Sequence, residues 1–232
     1  MDKVVVLVRA RSGSAEQSQR DHAFDLVEGL ARSAVASGQS PAGLVVSRVE
    51  RAFDETDPLL ALIELWQTSG DAGQAVAALL PDDRRHELDA TVTVATCSEI
   101  VFKEVKGFAE ADSPWKVKLA GTAFRRDDFT PDAFFEYWTH THAPIGGNVP
   151  GVGGYTVSRV GSGALGEEQA DALIEQWYTD ITAFEDAQST DQAKAAWEDV
   201  GNYAKTTGTA FWLMGETVLV RPPATGPGTL EA

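Results

Sequence analysis

The chain has 232 residues, with 35 Asp and Glu against 19 Lys and Arg, a net charge of −16 and 43% hydrophobic residues. That is enough to bury a core in one large domain or two small ones. No run approaches the ~20 apolar residues of a membrane span, and the acidity opposes a phosphate backbone. Neither a membrane nor a nucleic acid is therefore expected as a partner.

In chain order, residues 3–9 read as a buried strand. The apolar run Val4 to Val8 is too short for a secretory signal and is followed by Arg9 and Arg11. Residues 15–36 read as a helix, 43–51 and 59–67 as strands, 71–80 as a helix and 91–103 as a long strand. The same order then returns: a strand at 115–124, a helix at 131–142, strands at 154–161 and 171–178, a helical stretch at 181–203 and a last strand at 209–221. A single cysteine, Cys97, allows no internal disulfide and suits a reducing cytoplasm, the expected compartment.

The recurrence is visible letter by letter. Val46-Ser47-Arg48-Val49 returns as Val157-Ser158-Arg159-Val160, and ALIELWQT from Ala61 returns as ALIEQWYT from Ala172. Both offsets are 111 (157 − 46 and 172 − 61). Two matches at one offset define a tandem repeat, divided as 1–111 and 112–221 with a Pro- and Gly-rich tail at 222–232 that reads as disordered. Each copy reads βαββαβ, the ferredoxin-like order. One such sheet has helices on one face only and must cover the other. The expected fold is therefore α+β, two ferredoxin-like repeats closing an eight-stranded α/β barrel within one chain, with pairing of such barrels into a homodimer a further possibility.

The helix of the second copy, TPDAFFEYWTHTHAPIGG, carries the candidate site. Thr130 can cap it, Pro131 suits its first turn, and Phe134, Tyr137, Trp138 and Thr141 fall at i, i+3, i+4 and i+7. His142 follows Trp138 by four residues, and Pro144 is expected to stop the helix. His140 points roughly 200° round from His142 at 100° per residue. The pair is thus a poor metal site, and no metal is expected. Trp177, Tyr178, Trp197, Tyr203 and Trp212 concentrate aromatic residues in the second copy and suggest an apolar cavity there, while Asn202 and Tyr203 can bond a bound oxygen. The repeated Arg48 and Arg159 are expected to pair with Glu64 and Glu175.

These residues resemble a known family. The run Tyr137, Trp138, His142, Pro144, then Pro150, Gly151 and Tyr155, is similar to the EthD family of dimeric α/β-barrel proteins. The resemblance spans about residues 116–221. Counting back 111 from His142 and Trp138 reaches Ala31 and Val27, so the first copy keeps the scaffold without the motif. The wider superfamily includes cofactor-independent monooxygenases, polyketide cyclases, dehydratase-like enzymes, lactone isomerases and haem enzymes. The resemblance implies a cofactor-independent enzyme acting on a small hydrophobic, phenolic or polyketide-like aromatic compound. His142 would be its acid–base residue in a lyase or dehydratase step. The substrate would be held by Phe134, Phe135, Tyr137, Trp138, Trp177, Tyr178, Trp197, Asn202 and Tyr203. Three alternatives stand beside it: a cofactor-independent monooxygenase of electron-rich phenols, a non-catalytic binding protein, and a haem protein with His142 as axial ligand.

Overall fold

The structure is a computed structural model that describes residues 2–11, 15–38, 41–67, 71–108, 110, 112–165 and 169–223. The expected disordered tail lies outside the described residues from position 224 onward. The first repeat contains β1 (Asp2–Ala10), α1 (Gln17–Ala36), β2 (Gly43–Ala52), β3 (Leu59–Gln67), α2 (Ala72–Leu79), α3 (Asp82–Glu87) and β4 (Ala90–Lys103). The second contains β5 (Val117–Ala123), α4 (Pro131–Tyr137), a π-helical turn (Trp138–His142), α5 (Ala143–Gly147), β6 (Gly154–Gly163), β7 (Ala172–Tyr178), α6 (Ile181–Gln188), α7 (Asp191–Tyr203) and β8 (Phe211–Val220). The helix expected at 71–80 is α2, with α3 an additional short helix after it, and the helical stretch expected at 181–203 is divided into α6 and α7. Pro81 separates α2 from α3, because a proline disfavours helical backbone in the residue before it. Thr190 starts α7 afresh by accepting a bond from the Ala193 amide.

The strands run in the order β1-β3-β2-β8-β5-β7-β6-β4 and the order closes. Within it β4-β1-β3-β2 and β8-β5-β7-β6 are each the ferredoxin-like order, so the barrel is two such sheets in one chain. Among the described residues no helix is long and apolar enough to cross a membrane. By contact density one compact unit holds the residues up to Ser98, Val160–Gln169 and the segment from Trp212; the other holds Glu99–Arg159 and Ala170–Phe211.

In the first unit, β1 lies between β3 and β4, antiparallel to both. Val4, Val6, Val8, Leu44, Val46, Ile63 and Leu65 face α1, which meets them with Ala23, Phe24, Val27 and Ala31. These apolar side chains fill the space between helix and sheet.

The repeat extends to strand register. Gly43 pairs with Trp66 and Val45 with Glu64; Gly154 pairs with Trp177 and Thr156 with Glu175. Each repeat also buries a lysine on its first strand, and these lysines, not the repeated arginines, meet the glutamates. Lys3 Nζ lies 2.7 Å from Glu64 with both side chains 2% exposed, and Lys118 Nζ lies 2.8 Å from Glu175 with both at 0%. Arg48 instead pairs with Glu50, and Arg159 with Asp132 at 2.6 Å. Strand parity explains the correction. Arg159 is paired with Ala172, which shares a strand face with Ile174 and Gln176, whereas Glu175 points the other way.

Candidate functional site

The site lies in the second unit and begins with a helix that changes pitch. Thr130 caps α4 through a bond from the Ala133 amide at 3.2 Å, with Pro131 in the first turn. After one α-helical stretch the backbone widens into the π-turn from Trp138 to His142 and resumes as α5. Pro144 therefore does not stop the helix; it sits in the first turn of α5, and the π-turn accommodates its missing amide. The wider turn also rotates the buried face. Thr141, expected inside, is exposed with His140, while His142 is 4% exposed and continues the face of Trp138.

Asp199, on α7, carried no signal in the sequence reading and is the anchor of the arrangement. Its carboxylate lies 3.0 Å from His142 Nδ1, accepts from Tyr137 Oη at 2.8 Å and accepts from Asn202 Nδ2 at 3.0 Å. Burial alone would raise the Asp199 carboxyl, but the bonds from Asn202, Tyr137 and His142 outweigh it and hold the group below its usual range. Burial lowers the His142 imidazole below its ordinary value of 6.5, against the raising influence of Asp199. At neutral pH the imidazole is uncharged. A carboxylate only accepts, so Nδ1 carries the proton and Nε2 presents a lone pair.

That lone pair faces a cavity of about 610 Å³, its open mouth included. Its walls include Leu119, Val149, Ile174 and Val200, with Trp138, Tyr178, Trp197 and Tyr203 supplying aromatic surface. Tyr203 is centred 4.9 Å from the His142 ring and Trp138 5.9 Å from it, edge-on. Trp197 is 42% exposed and stands against Phe211 with its Nε1 bonded to Gln188.

The other residues expected to hold the substrate, Phe134, Phe135, Tyr137, Trp177 and Asn202, do not line the cavity. Phe134 is wholly buried between Phe135, Trp138 and Tyr203. Phe135 lies 4.9 Å beneath the Arg159 guanidinium, and Tyr137 and Asn202 serve Asp199. Trp177 sits under the Lys118 ammonium at 5.9 Å, on the strand face opposite Tyr178. Sequence alternation could have separated Trp177 from Tyr178.

Behind the site, Trp138 Nε1 donates to Tyr155 Oη at 2.6 Å, both residues being buried. Tyr155→Phe strands that indole N–H in an apolar place, and a loss of about 1–3 kcal/mol is expected in denaturant unfolding; a loss below ~0.5 kcal/mol would mean the indole finds another acceptor.

Among the described residues no group of three or more His, Cys, Asp or Glu is gathered closely enough to hold a metal ion. No lysine or arginine lines the cavity among the described residues, so its walls do not fit a haem with two propionates.

Residues 126–207 match the family model of the EthD domain. The match lies within the second repeat and covers 82 of the 232 residues. It contains His142, Asp199, Gln176 and most of the cavity wall. Among solved structures the chain is similar to an anthrone oxidase-like protein, with 12% identity over 97% of this chain and 96% of that one and a TM-score of 0.63. A candidate monooxygenase from Lactobacillus acidophilus NCFM gives 12% identity over 96% and 98%, with a TM-score of 0.56. An EthD family protein from Bacillus halodurans C-125 is 26% identical over 44% of this chain and 95% of that one, with a TM-score of 0.35. At 12% identity the first two show the shared barrel fold and nothing narrower. No curated protein matches the chain.

Proposed function

We propose that the chain is a cytoplasmic enzyme that removes a proton from a small, apolar aromatic compound of phenolic or polyketide type and completes a lyase or dehydratase step with His142 as acid–base residue. One observation carries this reading: His142 is held by Asp199 through Nδ1 and opens its Nε2 onto an apolar, aromatic cavity. In the proposed step Nε2 takes a proton from carbon that a carbonyl acidifies, directly or through the conjugated ring. The imidazolium, stabilised by Asp199, then delivers that proton to the departing hydroxyl, so that a double bond forms and water leaves. The aromatic walls exclude solvent, which strengthens the electrostatic support from Asp199.

The same first step also suits the second reading, since a deprotonated anthrone or phenol is electron-rich enough to react with oxygen. An uncharged imidazole that opens onto an apolar, aromatic cavity serves this reading equally. The test uses anthrone as probe. Exchange of its acidic C–H for deuterium in D₂O, followed by NMR, reports proton abstraction directly, and an oxygen electrode run alongside separates the two chemistries. Exchange without oxygen uptake supports the lyase reading, and exchange with stoichiometric uptake the oxygenase. Stable binding of the probe with no exchange above buffer would make the chain a carrier and end both.

A further inference from the structure

The octapeptide that defines the repeat differs between its copies at two positions only: Leu65 against Gln176, and Gln67 against Tyr178. Both residues of the second copy line the cavity. In the first copy Leu65 is 1% exposed within the apolar core against α1. A primary amide has therefore replaced a core leucine, in a chain that otherwise repeats its neighbours, and an amide in an apolar wall is costly unless its polar atoms are used. Half of it is satisfied locally. Tyr178 Oη donates to Gln176 Oε1 at 2.9 Å, since i and i+2 share a strand face. With Oε1 fixed by that donor, Nε2 is the end turned away from Tyr178. It lies where Gly146 makes room: a β-carbon on Gly146 would stand 3.7 Å from Gln176 Nε2 and 3.7 Å from His142 Nε2. The two nitrogens border one small volume, which glycine leaves open, with a proton donor on one side and a lone pair on the other.

The geometry points to Gln176 as the residue that binds an oxygen acceptor of the substrate in the cavity that His142 faces, which makes the substrate an aromatic ketone or phenol whose oxygen takes up the charge left by the proton removed. This rests on the proposed proton abstraction for its catalytic meaning, and on the cavity alone for its binding meaning. As His142 withdraws the proton, negative charge moves onto that oxygen, and the Gln176 N–H strengthens its bond as the charge grows. Tyr178 positions the amide, and Gly146 keeps the space between the two nitrogens clear.

The test compares two probes of the same shape, 9-fluorenone with its carbonyl and fluorene without it, by titration calorimetry on the full chain. The wild type is expected to prefer the ketone by about tenfold, the worth of one hydrogen bond in a dry site. Gln176→Leu installs the residue that already packs in the first copy, so it is expected to fold, to lose the preference and to keep its fluorene affinity. Gly146→Ala places a methyl group at ordinary contact distance and is expected to weaken the ketone while the fold survives. Anthrone exchange in Gln176→Leu is expected to fall about 10–100-fold. A wild type that takes both probes equally or neither, or a Gln176→Leu protein that keeps the preference, overturns the assignment. The two proposals fail separately. A ketone preference lost in Gln176→Leu without wild-type exchange removes the proton chemistry alone, whereas His142-dependent exchange with the preference intact removes Gln176 alone.

Discussion

His142→Gln is expected to lower anthrone exchange by about 10²–10⁴-fold, the usual contribution of a positioned general base, while the probe still binds. Glutamine can keep a bond to Asp199 but offers no titrating lone pair to the cavity. Asp199→Asn is expected to lower exchange by about 10–10³-fold. Its amide can face Nδ1 with a donor, which moves the imidazole proton to Nε2 and presents the wrong tautomer to the substrate. The pH dependence distinguishes the two roles. Burial depresses the His142 pKa, so the wild-type rate should fall on the acid side with a midpoint below 6.5. Asp199 raises that pKa, so Asp199→Asn should move the acid limb to lower pH as well as lower the plateau. A limb that moves to higher pH would contradict the buried, neutral base. Stability follows the same sign. As pH falls through ~6.5 the unfolded chain takes up the His142 proton before the folded one does, so this contribution is whole above that value and declines toward the folded pKa. His142→Gln removes the decline and should lessen the protein's sensitivity to mild acid.

What the sequence revealed, and what it concealed, follows from the range of each interaction. Repeated strands are local, and VSRV and ALIE-x-W exposed the duplication at offset 111. The lysines lie at another offset, 115 (118 − 3), because the first repeat has four more residues between its first and second strands, counting from Lys3 to Gly43 and from Lys118 to Gly154. That difference is about one helical turn. Position 142 therefore maps to Ala31 or to Val27 with the helix face unchanged, and both are buried apolar residues of α1. The first repeat has a filled core at this place. Asp199 stood 57 residues from His142 in a chain with 35 acidic residues, and nothing periodic links the two. The π-turn was hidden for a different reason: an α-helical wheel assumes a constant 100° per residue, and one widened turn took Thr141 off the buried face while His142 stayed on it. Gln176 was missing from the expected site residues, although the disagreement between the copies at that position was a signal for it.

Glu175→Gln is expected to destabilise the protein by about 3–5 kcal/mol in guanidinium unfolding at neutral pH. It leaves the Lys118 ammonium, 0% exposed, without the carboxylate at 2.8 Å. The cost arises from a charge kept out of water, and it predicts its own rescue. Lys118→Met combined with Glu175→Leu replaces both ions by apolar groups of similar size and should recover most of the loss, giving a large coupling energy in the double-mutant cycle. Additive costs would mean that each residue acts through packing alone. Lys118→Met by itself tests the other side. The remaining carboxyl can take up a proton, so its penalty should shrink as pH falls, whereas the penalty of Glu175→Gln should not. The pair also governs the site, because β7 alternates: Glu175 and Trp177 turn toward Lys118, and Gln176 and Tyr178 thereby turn toward the cavity. In a Glu175→Gln protein still folded at low temperature, anthrone exchange is accordingly expected to fall more steeply than probe binding, since a small rotation of β7 displaces the amide from the oxygen it holds while the apolar walls remain.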